Sequence, residues 1–279
     1  MALAPVPKDD EIVHLYQSGE LSAELARFHE TGEENENVFV QQCVSLHNCG
    51  LIDLLGVPKQ AAFADLNGPE FFTLQHFYCE AIPKLDSKVS TLMECCSALV
   101  EKGGADLAAN QPNGAFRTWC KNNPNKAAAV VRDARNGDAL AKKFVTFALQ
   151  AANDIEGAIA LIQTYSDDRR LSAMAALAGM SFADAASAKK AIAVLEPHIA
   201  DSGDDHSRIN ALVAAFAVLN QHNDPAAAQR LVSSATKDPG PETLFGLARI
   251  VWQSYNVAHR QVRGYFLLPG SFAHNDGPR

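Results

Sequence analysis

Four short segments share one form: Asn or Asp, three residues, then Ala. They are Asn125-Lys-Ala-Ala-Ala129, Asp154-Ile-Glu-Gly-Ala158, Asp184-Ala-Ala-Ser-Ala188 and Asp224-Pro-Ala-Ala-Ala228. Each suits a helix start, because an Asx side chain can accept a hydrogen bond from an orphan backbone N–H of the first turn. In the last copy Pro225 takes the first helical position, where its missing N–H costs nothing. The small Ala lets a neighbouring helix come close. Leu161, Ile162, Ile192, Leu231 and Val232 continue three of the copies with an apolar stripe, whereas Arg132 and Asp133 make the first imperfect. The starts lie 29, 30 and 40 residues apart, from the differences between 125, 154, 184 and 224.

Another helix is expected before three of these starts: 139–151 with Phe144 and Phe147, 168–180 with Leu171, Met174 and Leu177, and 206–219 with Ile209, Leu212 and Phe216. Strand signals are nearly absent, with no alternating β-branched run next to a hairpin dipeptide. The fold class expected is therefore all-α, with αα-hairpin repeats in a solenoid-like stack and an irregular helical N-terminal region. Over residues 115–258 the helix pairs resemble the αα-repeat families of tetratricopeptide or HEAT type, without the full tetratricopeptide signature. The resemblance implies a stack with one surface left for a protein or peptide partner.

Upstream, apolar residues at spacings of three and four predict helices over 38–55, 70–82 and 84–102, the last stopped by Gly103–Gly104. Gly103–Gly114 contains Pro112 and reads as a loop. The expected organisation is an irregular region over 1–110, a repeat region over 111–260 and a tail over 261–279. A last helix over 242–256 is apolar around much of its circumference and precedes Tyr265, Phe266, Leu267 and Leu268. Either that segment folds back as a lid, or this end docks on another subunit or domain.

Charge narrows the range of partners. The chain has 24 basic and 32 acidic residues, a formal net charge of −8. Residues 9–36 hold nine acids against Arg27 alone, a local balance of −8, so the remaining 23 acids and 23 bases cancel. Such a segment repels phosphate and reads as a solvated helix pair followed by a polar loop at His29–Asn37. The opposite bias lies in 117–143, where Arg117, Lys121, Lys126, Arg132, Arg135, Lys142 and Lys143 face only Asp133 and Asp138. With Trp119 beside them, these cations could form an interaction surface for an acidic protein or, as the lesser reading, grip nucleic acid while the indole stacks on a base. The competing reading is a solvated helix surface, since helical spacing scatters the seven around more than one face.

All six cysteines lie between residues 43 and 120. The opening MALAPVPKDD has neither the basic flank nor the apolar run of a secretory signal. Buried thiols in a reducing, cytoplasmic setting are therefore expected rather than disulfides. Cys43 with His47, and His76 with Cys79, could supply four tetrahedral ligands if two helices met. Without a Cys-x-x-Cys pair the expectation is no metal and no cofactor, with His47 as a hydrogen-bonded core histidine. No membrane span is expected, because no window approaches about 18 consecutive apolar residues. Walker-type, G-x-G-x-x-G, G-x-S-x-G and H-E-x-x-H motifs are all missing. The sequence leans against an enzyme and toward an interaction scaffold. A nucleic-acid binder and a metal-dependent or other enzyme assembled from scattered residues are the alternatives.

Overall fold

The computed structural model describes residues 4–252 except 202 and 223, and among these it contains fifteen α-helices, four short 3-10 helices and no strand. They fall into two compact units divided between Ala152 and Asn153. The segment Tyr265–Leu268, the end of the expected 242–256 helix and the 261–279 tail lie outside the described residues.

The first unit holds α1 (Asp9–Ser18), α2 (Leu21–Leu25), α3 (Glu33–Asn48), α4 (Ala61–Asp65), α5 (Gly68–Ala81), α6 (Val89–Gly103), α7 (Gln111–Asn122), α8 (Pro124–Arg135) and α9 (Ala139–Ala152). The acidic segment forms the expected α1–α2 pair, but its polar loop is largely helical. Phe28–Thr31 is a 3-10 turn, and α3 begins at Glu33. Glu33, Glu34 and Glu36 then lie in the first turn of α3, where negative charge meets the positive end of the helix dipole. The helix expected over 38–55 stops at Asn48, with Gly50 at φ 76° and the 3-10 helix Leu54–Lys59 beyond it. The core is aromatic: Phe28, Phe39, Phe77, Tyr78, Phe116 and Trp119 are fully buried. Its polar tips are matched, with Tyr78 Oη donating to Leu54 O at 2.6 Å and Trp119 Nε1 donating to Leu85 O at 2.8 Å.

The segment 103–114 lies inside the first unit. Gly103 closes α6 where an added Cβ would meet Ala109 Cβ at 2.5 Å, and Pro112 occupies the first turn of α7, where proline is favoured. Helix α7 packs on α5, α6 and α9, all within the first unit, which runs through residue 110 to Ala152.

The second unit contains α10 (Ile155–Thr164), α11 (Asp168–Ala178), α12 (Ala185–Ala200), α13 (Asp205–Gln221), α14 (Pro225–Ala235) and α15 (Pro241–Trp252). Helices α10, α12 and α14 pack in series, as do α11, α13 and α15, and α13 also packs against α12 and α14. This is a two-layered stack of the expected kind. Ion pairs Lys190–Glu156, Arg230–Glu196 and Arg170–Asp204 join neighbours at a separation of 34 residues each. The offset is constant although the helix starts are irregular. Unequal helices absorb the irregularity: α10 has 10 residues and α12 has 16.

Three of the four Asx-led starts are side-chain caps. Asp154 accepts from Gly157 N, Asp184 from Ser187 N and Asp224 from Ala227 N. At Asn125 the reading is corrected: Pro124 takes the first helical position, so Asn123 is the cap residue and its Nδ2 donates to Trp119 O. Asp138, Asp167 and Asp204 cap α9, α11 and α13 in the same manner. Such caps are worth about 1 kcal/mol each.

Candidate functional site

The cationic stretch spans α7, α8 and α9. Arg117, Lys121, Arg132, Arg135 and Lys143 are exposed, and Lys142 is half-buried. Arg117 Nη1 donates to Gln150 Oε1 at 3.4 Å, Arg132 pairs with Asp133 at 3.1 Å and Lys143 with Glu101 at 3.4 Å. Trp119 does not share their surface. It lies on the buried face of α7 with Ala115, Phe116 and Cys120, its ring 6.0 Å from that of Phe116. The aromatic expected to stack on a ligand is a core residue.

Lys126, half-buried on α8, binds residues that line a cleft of the first unit. Its ammonium sits 5.4 Å from the Trp119 ring centroid and donates to Asp86 Oδ1 at 2.8 Å and Ser87 O at 3.1 Å. That charge holds the Asp86 carboxyl below its usual range. The adjoining cleft, of about 430 Å³, includes Tyr16, His47, Asp53, Asp86, Ser87 and Lys88 in its lining. Helix α3 supplies His47 near its C-terminus, and the extended link before α6 supplies Ser87. Trp119 helps hold that link by binding Leu85 O.

His47 Nε2 lies 2.7 Å from Ser87 Oγ, and Asp53 Oδ1 lies 3.8 Å from His47 Nδ1. These are the residue types of a hydrolytic triad, but the proton order is reversed. A triad needs Nδ1–H pointing at the carboxylate and a bare Nε2 to receive the serine proton. Here Leu54 N–H donates to Nδ1 at 3.2 Å, so Nε2 carries the hydrogen and donates to Ser87. His47 therefore does not activate Ser87, and Asp53 instead caps the 3-10 helix through Leu55 N. Burial pushes the His47 pKa down, against the partial opposition of Asp53, the nearby Ile52 backbone and Asp86. The expectation of a hydrogen-bonded histidine describes the geometry found.

The four residues weighed as metal ligands are not brought together. Cys43 is buried on α3, His47 is engaged as above, and Cys79 is half-buried with its pKa pushed up to about 12, chiefly by burial. His76 turns to a different partner, with its Nδ1 3.2 Å from His29 Nε2. No group of three or more His, Cys, Asp or Glu side chains suited to a metal ion occurs among the described residues. No helix among them is long and apolar enough to cross a membrane.

Ser87, Asp86 and His29 meet His47, Lys126 and His76 only through the fold. The separations are 40, 40 and 47 residues, and no local pattern reports them. Compared with protein-family models, curated proteins and solved structures, the chain matches none.

Proposed function

We propose that the chain is an interaction scaffold, with the stack of α10–α15 presenting a surface to another protein or peptide. The supporting observation is the two-layered packing joined by ion pairs at a constant 34-residue offset. In such stacks each helix pair needs its neighbours for cover, while the outer faces stay free for a partner. The last described helix adds a second support. Leu244 and Phe245 of α15 are 40% and 73% exposed. A subunit or further domain docking at this end fits that pair of side chains.

Neither alternative gains a comparable observation. Trp119 is unavailable for base stacking, and His47 has the wrong proton order to act as a base on Ser87.

The test is cross-linking of the full chain in cell extract, followed by mass spectrometry of the linked peptides. The scaffold reading expects a stoichiometric partner linked within residues 153–252. Repeated recovery of no stoichiometric partner, or links confined to 1–152, would reject it.

A further inference from the structure

We propose that His29 and His76 form a two-imidazole site for a divalent transition-metal ion of the Cu²⁺ or Zn²⁺ type, with Glu36 orienting His29. The two ligating atoms, His29 Nε2 and His76 Nδ1, lie 3.2 Å apart. Two nitrogens held about 2.0–2.1 Å from one tetrahedral ion are separated by about 3.3 Å, so the pair already has the required spacing. The ring centroids are 5.0 Å apart and the planes are inclined by 36°, which leaves the rings side by side at their nitrogen edges rather than stacked.

Glu36 Oε1 lies 2.8 Å from His29 Nδ1 and takes its hydrogen. This carboxylate–histidine contact commonly supports a metal-bound imidazole: it fixes the tautomer and leaves Nε2 as a lone pair. Without the ion, His76 Nδ1–H donates to that lone pair. With the ion, the His76 hydrogen moves through solvent from Nδ1 to Nε2, and both facing lone pairs bind the metal. Water completes the coordination, and no redox change is involved.

The geometry is supported from three elements. His29 stands on the 3-10 turn Phe28–Thr31, Glu36 in the first turn of α3 and His76 in the middle of α5. The buried Phe28 ring contacts both imidazoles, at centroid distances of 4.1 Å and 5.7 Å, and meets Phe77 edge-on at 5.7 Å. The pair remains reachable, with the His29 side chain 42% exposed. The surplus of eight negative charges over residues 9–36 favours a cation here. Nitrogen ligands bind Cu²⁺ more tightly than Zn²⁺, and its tetragonal geometry asks the two nitrogens only to close slightly from 3.2 Å, so Cu²⁺ is the sharper probe.

The test titrates Cu²⁺ into the full chain in a non-coordinating buffer, with calorimetry for stoichiometry and electron paramagnetic resonance for the ligand atoms. One saturable equivalent showing coupling to two nitrogens is expected. His29→Ala and His76→Ala should each abolish it, and Glu36→Gln should weaken it about tenfold. His206→Ala should leave it intact, since that exposed histidine pairs with Glu242. Circular dichroism of each variant before titration checks that the helices are retained. A wild-type chain with no saturable equivalent, or Cu²⁺ binding that survives both His29→Ala and His76→Ala, would overturn the site.

Discussion

Asp205 and Arg208, one helical turn apart at the start of α13, secure opposite ends of the neighbouring helices. The Asp205 carboxylate accepts from Glu242 N at 2.8 Å, and from Thr243 N and Oγ1, at the N-terminus of α15. Burial pushes the Asp205 carboxyl up, but these hydrogen bonds and the nearby Arg208 charge outweigh it and hold its pKa below the usual range. Arg208 is fully buried, and its guanidinium donates only to carbonyl oxygens: Ile199 at the end of α12, and Ser234, Lys237 and Asp238 at the end of α14. Each charge thus meets helix termini of the opposite partial charge. Asp238 reaches its place through a left-handed backbone, at φ 56°.

Replacing Arg208 should unfold the stack far more readily than replacing an exposed cation. Arg208→Met keeps roughly the same bulk but takes the guanidinium away from four carbonyls, at 2.7–3.0 Å in the native chain, of which Ser234 O keeps a second donor in Lys237 N. Hydrogen bonds to a charged donor contribute about 1.5–3 kcal/mol each, and stranded buried acceptors add to the loss, so at least about 3 kcal/mol should disappear. Arg208→Lys should fall between, because one ammonium cannot span both helix ends. Urea unfolding followed by circular dichroism measures both.

Gly246 sets how closely α15 approaches α13. A Cβ added there would coincide with the Cδ1 methyl of Ile209, so the glycine serves close packing, not a turn. Gly246→Ala should destabilise by about 1–3 kcal/mol despite alanine's better helix propensity. Adding Ile209→Ala should recover part of that loss. A double-mutant cycle in urea measures the coupling, and simple additivity would show that the two residues do not meet.

The second unit was more legible in the sequence than the first, for a physical reason. Capping is local: Asp184 and Ser187 are three residues apart, so the bond is visible in the pattern itself. The same locality misled at Asn125, where the preceding Pro124 had already claimed the first helical position. Trp119 shows another limit. Its cationic neighbours suggested a solvent face, whereas the buried positions 115, 116, 119 and 120 make one stripe of α7. The His29–His76 pair and the four carbonyl partners of Arg208 depend on tertiary packing across 9 to 47 residues, and no spacing rule encodes them.

His47 gives stability a pH dependence with a definite sign. Its folded pKa is depressed by burial, so the unfolded chain takes up this proton more readily. The resulting stability is fully present above the ordinary histidine value of about 6.5 and declines as pH falls through it toward the folded pKa. The urea midpoint should therefore drop between about pH 7.5 and pH 5. His47→Gln should flatten that slope relative to the wild type, since glutamine does not titrate. An identical slope in the variant would place the pH dependence elsewhere.

Thiol reactivity should separate one cysteine from the other five. Burial pushes the Cys79 and Cys120 pKa values up to about 12, and those of Cys43, Cys95 and Cys96 further upward. Thiolates are the attacking species, so these five have almost none to offer near neutral pH, and four of them are also screened from reagent by burial. Cys49, just past the end of α3, is exposed. A disulfide reagent such as dithiobis(nitrobenzoate) should therefore titrate one thiol rapidly in the native chain and all six after denaturation. Cys49→Ser should remove the fast phase. Two or more fast thiols would mean that the core around α5, α6 and α7 opens on the timescale of the reaction.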